Sequence, residues 1–239
     1  MAAEMSEALR QLFDEANHIT FMTGAGVSTA SGIPDYRSKT GLYADKFHGL
    51  PPEYLLSHDC LVNQPELLYA FVKDNMYFPE AQPNVIHEVI ADLCNQGRAS
   101  LITQNVDNLD RRAKNEQVVE FHGNLYRCFC TVDQAPIAWQ DYLTSMIHEP
   151  DHGVIRPDIV LYGEGIANDV LRRSVQAVEA ADLLVIVGTS FRVYPFAGLI
   201  NYRQPTAKLV VVNNEPITAG DVTAQYQGDA TDFFQALRG

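Results

Sequence analysis

Residues Ile19-Thr20-Phe21-Met22-Thr23 form an apolar run that stops at Gly24-Ala25-Gly26-Val27-Ser28. A buried strand passing into glycines and small side chains brings bare backbone N–H groups within reach of a phosphate. Residues 99–103, 183–187 and 209–212 are further strand candidates, and the last two are unbroken apolar runs of the kind buried in parallel sheets. Residues 118–121 and 158–162 read as strands as well. Helical spacing lies between them, at 4–16, 65–75, 84–94, 167–180 and 232–237. Strands alternating with helices predict an α/β fold with a parallel sheet. Residues 39–80 read as a loop-plus-helix excursion from it, and the less periodic residues 123–155 as an inserted lobe.

Charge and cysteines exclude several roles. Thirty acidic against 17 basic residues give a net charge of −13, which repels nucleic acid. No apolar run is long enough to span a membrane, and the first ten residues carry no signal-peptide pattern. Four cysteines, with Cys60 and Cys94 isolated, make no disulfide framework and suit a reducing cytoplasm.

The polar residues of interest gather where strands end, which is where parallel sheets bind ligands. The opening loop continues through Thr29 to Pro34-Asp35-Tyr36-Arg37-Ser38. Thr103-Gln104-Asn105-Val106-Asp107 leaves the second strand, and it reads either as groups for a ribose or carboxamide or as a helix N-cap. His122 and Gly123 end the third strand; a histidine there can take a proton near neutral pH. Gly188-Thr189-Ser190 and Asn213 end two more, and Arg156-Pro157-Asp158 to Tyr162-Gly163-Glu164 brackets another.

Taken in order, these motifs resemble the sirtuins, the NAD-dependent protein lysine deacylases, of bacterial type. They run from Gly-Ala-Gly-Val-Ser and Gly-Ile-Pro-Asp-Tyr-Arg-Ser through Thr-Gln-Asn-Val-Asp, His-Gly and Tyr-Gly-Glu to Gly-Thr-Ser and Asn213. The resemblance implies one catalytic domain with a large Rossmann-like lobe, at about 1–38, 82–122 and 156–239, and a small lobe at about 39–81 and 123–155. It implies NAD in the cleft between them. Gly24, Ala25, Gly26, Thr29, Tyr36 and Arg37 would line NAD, with Tyr36 in place of a common Phe. Gln104 would contact ribose, and Val106 and Asp107 the carboxamide. Thr189, Ser190, Asn213 and Ala230 would serve the adenosine half. Asn105, Asp107 and His122 would be catalytic, with His122 as general base on a ribose hydroxyl. Val160, Tyr162, Gly163 and Glu164 would pair with an extended acyl-lysine peptide.

Two departures from the family stand out. Many sirtuins hold zinc with two Cys-x-x-Cys pairs; here Cys130, Asp133, His148 and Asp151 fall near those positions, and no bound zinc is expected. The lobe would then rest on an apolar core with Trp139, Tyr142 and Ile147. Asp110 replaces the usual His after Asn-x-Asp-x-Leu. Between Tyr43 and Gly97 there is no arginine, so an acidic acyl group lacks a guanidinium partner. Protein mono-ADP-ribosylation and a non-catalytic NAD- or ADP-ribose-binding module stay open as alternatives. The oligomeric state is not legible.

Overall fold

The structure, a computed structural model, describes residues 6–36, 38, 41–43 and 46–239. Its strands are β1 (Ile19–Thr23), β2 (Ala99–Thr103), β3 (Val118–Glu120), β4 (Gly123–Cys130), β5 (Pro136–Ile137), β6 (Ile147–His148), β7 (Gly153–Ile159), β8 (Leu183–Val187), β9 (Lys208–Asn213) and β10 (Ala224–Gln227). The helices are α1 (Glu7–Glu15), α2 (Pro52–Leu55), α3 (His58–Asn63), α4 (Pro65–Asn75), α5 (Val85–Asn95), α6 (Leu109–Arg112), α7 (Trp139–Thr144), α8 (Asn168–Ala180) and α9 (Ala230–Arg238).

Six strands form the expected parallel sheet in the order β10-β9-β8-β1-β2-β3. β1 and β8 are buried at every position, because the central strands are covered on both faces and need apolar residues in both directions. On one face Phe21, Val185 and Leu101 pack with Leu9, Ile90 and Phe233, from α1, α5 and α9. On the other, Met22, Ile102 and Ile186 pack with Val178 of α8 and Phe196.

A second, antiparallel sheet, β5-β4-β7-β6, packs with α2, α3, α4 and α7 around a separate apolar cluster. Tyr142 is fully buried there and Trp139 stacks on Tyr77 at 5.8 Å, as expected of a lobe held by aromatics; Ile147 is only half-buried. Residues 158–162 do not form a strand of the main sheet. Their first two residues close β7, which pairs antiparallel with β4, and the chain then leaves the sheet. Strand β7 therefore runs across the boundary expected at residue 156. Gly123 makes this crossing possible: with φ at 84°, a Cβ on it would lie 2.0 Å from the Asp158 carbonyl oxygen.

Candidate active site

Consecutive strands run outward from β1 through β2 to β3, and from β8 through β9 to β10. The order reverses between β1 and β8, so a crevice opens at their carboxyl ends. Here the opening loop crosses the end of β8 at backbone distance. Gly26 N–H donates to Gly188 O at 2.8 Å, and a Cβ on Gly26 would sit 2.8 Å from that oxygen. A Cβ on Gly24 would lie 2.7 Å from Thr189 Cβ. The glycines are thus required by the crossing itself. Asn84, the N-cap of α5, anchors the loop from below by donating to Val27 O at 2.8 Å and Ser31 Oγ at 2.9 Å.

A buried polar network holds the crevice floor. Asn105 Nδ2 donates to Gly24 O (3.2 Å) and Ser28 Oγ (3.1 Å), and Ser28 donates to Asp107 Oδ2 (2.6 Å). Asp107 Oδ1 accepts the Leu109 N–H at 2.9 Å. Asp107 thus ties down the start of α6, whose N-cap residue is Asn108, and it also lines the cleft with Ala25, Tyr36, Asn105 and Val106. Burial pushes its carboxyl up from the usual range, and the bonds from Ser28 and Leu109 offset part of that. Gln104 Nε2 donates to Thr189 Oγ1 at 2.9 Å, bridging the two strand ends.

His122 follows β3 at the same carboxyl edge of the sheet, edge-on to Phe121 and 6.4 Å from the Phe196 ring. Its Nδ1 pairs with Gln104 O at 3.3 Å, which fixes the proton on Nδ1 and leaves Nε2 as the basic atom. Burial lowers its pKa, opposed by that carbonyl, so the ring is neutral at physiological pH. The His122 carbonyl accepts from Val160 N at 2.9 Å, linking His122 to the segment after β7. In that segment Tyr162 uses its backbone N–H on Leu56 O (2.8 Å) and its carbonyl on His58 N (2.9 Å), leaving exposed Gly163 beside it. Glu164 takes two bonds from Arg156, at 2.6 and 3.0 Å, and one from Leu161 N at 2.9 Å. Although burial pushes its carboxyl upward, these donors hold it below the usual range. Glu164 is a clamp that shapes the segment.

The geometry agrees with the comparisons. The model of the "Sir2 family" matches residues 24–195. The chain belongs to the Sir2 family. A Lactiplantibacillus plantarum protein named NAD-dependent protein deacetylase is 52% identical over 231 residues, 97% of each chain. A Listeria innocua protein of the same name is 47% identical, over 96% of this chain and 99% of that one. A solved Sir2 structure described with a deacetylated p53 peptide and 3'-O-acetyl ADP ribose is 30% identical and superposes with a TM-score of 0.89, covering 97% of this chain and 96% of that one. Sir2Tm bound to a propionylated peptide, also 30% identical, gives 0.84 over 96% and 95%.

Within this Sir2 chain the remaining expected positions fall along the same row of strand ends. Thr29 is exposed, with its hydroxyl on Gly26 O at 2.9 Å. Ser190 follows buried Thr189. Asn213 closes β9, and its carbonyl accepts from Gly228 N at 3.1 Å, two residues before buried Ala230. Arg37 lies outside the described residues. Ser28 stood in the opening motif without a role of its own, and the motifs did not include Leu42, Met76 and Phe78, which line the cleft from the lobe side.

Cys130, Asp133, His148 and Asp151 do come together, with one ligand atom from each within 4.8 Å of the others. Their groups already satisfy one another. Asp151 Oδ1 accepts from His148 Nδ1 (3.0 Å) and Gly153 N (2.9 Å), and the Cys130 thiol reaches Asp151 Oδ2 at 3.3 Å. One thiolate, one imidazole and two carboxylates could hold a divalent ion, but only by giving up these protons and bonds.

Proposed function

We propose that this chain removes acyl groups, above all acetyl, from lysine side chains of proteins, moving them to the ADP-ribose of NAD and releasing nicotinamide. The observation that carries this reading is a His122 ring whose Nδ1 is held by the Gln104 carbonyl, at the strand end next to the Asn105–Ser28–Asp107 network. The crevice suits NAD on its own terms: glycine backbone approaches closely at β8, and a carboxylate beside the Val106 backbone can hold a carboxamide.

NAD, when bound, supplies an anomeric carbon whose nicotinamide can leave. Asp107 and Val106 hold the carboxamide, while Asn105 orders the ribose side. The acyl oxygen of the substrate lysine attacks that carbon. His122 Nε2 then takes the proton of a ribose hydroxyl, so that this oxygen can attack the acyl carbon. His122 then gives the proton to the departing lysine nitrogen, and one water adds to the acyl carbon, which leaves the acyl group as an ester on ADP-ribose. A binding module has no need of this base.

The lobe over the cleft supplies Tyr36, Leu42, Met76 and Phe78, with no arginine between Tyr43 and Gly97, which favours acetyl or longer apolar acyl groups. The peptide pairs beside Val160 and Gly163. Four free, buried cysteines suit a reducing cytoplasm, and among the described residues no helix is long and apolar enough to cross a membrane. The test incubates the protein with an acetyl-lysine peptide and NAD. The expected result is a peptide lighter by one acetyl group together with free nicotinamide; a peptide heavier by ADP-ribose, or no change, refutes the reading.

A further inference from the structure

Asn124 is buried near the start of β4, just after His122 and Gly123, and the proposed reaction gives it no task. Its side chain is fully engaged. Nδ2 donates to Asn108 Oδ1 at 2.9 Å and to Glu120 Oε1 at 2.6 Å, and Oδ1 accepts from Tyr126 N at 2.8 Å. Glu120, ion-paired with Arg127 and Arg111, can only accept, and the Tyr126 N–H can only donate. The amide is therefore fixed in one orientation, with a donor facing Asn108. These three partners call for two donors and an acceptor on a short side chain, which asparagine supplies.

Asn108 follows Asp107 directly and is the N-cap residue of α6, in the left-handed region with φ at 67°. An L side chain is strained there, and asparagine is tolerated best because its side chain can hydrogen-bond. Asn108 does not cap its own helix. Asp107 Oδ1 accepts the Leu109 N–H, and the Asn108 oxygen serves Asn124 instead. The next residue of β4 acts on the same loop, because Leu125 N–H donates to Val106 O at 2.9 Å. Residues 124 and 125 thus hold the loop on both sides of Asp107, at Asn108 and at Val106. Val106, Asp107 and Leu125 all line the cleft.

We propose that Asn124 is a positioning residue of the nicotinamide half-site: by holding the Asn108 side chain, while Leu125 holds the Val106 carbonyl, it sets the loop that presents Val106 and Asp107 to the carboxamide of NAD. This rests on the deacylase reading, which puts the carboxamide at those two residues. Releasing Asn108 lets its backbone relax toward the ordinary right-handed region, which swings the adjoining Asp107 carboxylate out of line with the carboxamide. The crossing at Gly26, which the phosphates would meet, is held by Gly188 and Asn84 instead. Loss of the Asn124 bond should therefore be felt at the nicotinamide end of the ligand and spare the ADP-ribose end.

The test measures Kd for NAD and for ADP-ribose, which lacks the nicotinamide, by calorimetry without peptide. In Asn124→Ala the Kd for NAD should rise by about five-fold, the scale of one buried hydrogen bond, while that for ADP-ribose stays within about two-fold. A merely structural role would move both ligands alike or neither. Equal changes, or an unchanged Kd for NAD, overturn the proposal. Asn108→Gly breaks the same bond from its other end and accepts the left-handed backbone, so it should show the same contrast. Absence of that contrast overturns the proposal even if Asn124→Ala fails to fold. In the double variant the two effects on NAD should not add, since one bond is lost in both; additive effects overturn it as well. A wild type that binds NAD but deacylates nothing would sink the proposed function, and the contrast between the two ligands would still decide the role of Asn124. A wild type that binds no NAD would sink both.

Discussion

His122 and Ser28 show what a single residue contributes here. The imidazole is oriented by one carbonyl and packed against Phe121, so removing it takes away the base without opening the crevice floor. His122→Ala should lower kcat by about 10²–10⁴ while the Kd for NAD, measured by calorimetry, stays within about three-fold. A mutant that retains turnover would disprove the assignment. Ser28 does the reverse: its hydroxyl serves both Asn105 and Asp107. In Ser28→Ala each loses a buried partner, at about 1–3 kcal/mol, and KM for NAD should rise well before stability is lost. His122, Asn105 and Asp107 were legible in the sequence because their side-chain chemistry coincides with strand ends. Ser28 was not, because its importance lies in a partner 79 residues away. Glu164 was expected beside the peptide, and its bonds to Arg156 and His58 were not legible, since only the folded chain brings them onto its carboxylate.

Among elements, the crossing of the first loop over β8 is the most demanding. Gly26→Ala sets a methyl group against the Gly188 carbonyl, and neither backbone can turn aside without breaking the bond between them. The expected cost is about 1–3 kcal/mol in chemical denaturation, with weakened NAD binding. The main sheet was legible because strands covered on both faces must be apolar throughout. Strand β10 was not: it lies at an edge with Tyr226 alone buried, so its polar residues look like a loop. β7 was legible as a strand only in its last two residues, and neither its length nor its composition names the sheet it joins. In the small lobe the Cys130–Asp151–His148 bonds close the loops of β4 and β7 where the resemblance would place zinc. We expect elemental analysis of purified protein to find far less than one zinc per chain, and a chelator to leave the melting temperature unchanged. Stoichiometric zinc would mean that these protons are given up to the metal.

Over the whole molecule, the buried titratable groups set a window of stability with different groups at each edge. His87, at the third position of α5, accepts the Asn84 N–H on Nδ1 at 3.2 Å, and burial lowers its pKa from 6.5 to about 4. The unfolded chain therefore binds this proton first. Stability is present above about pH 6.5 and is lost as pH falls through about 4, when protonation also breaks the capping box. Glu120 and Glu164, held low despite burial by arginine partners, add to the loss as pH falls below about 4.5. Asp110 acts with the opposite sign. Its folded carboxyl is raised to about 8, so the native state keeps a proton that the unfolded chain has released, and stability declines as pH rises toward that value. The Asp110 loss runs from about pH 3.8 to about 8 and offsets the His87 gain between about 4 and 6.5, so the melting temperature should be highest between about pH 4.5 and 6.5 and fall on both sides. Asp110→Asn should remove the alkaline decline and leave the acid one. His87→Gln, which can still cap α5, should soften the acid decline and leave the alkaline one. Differential scanning calorimetry of the three proteins across pH separates the two edges. An alkaline decline that persists in Asp110→Asn would assign that edge to another group.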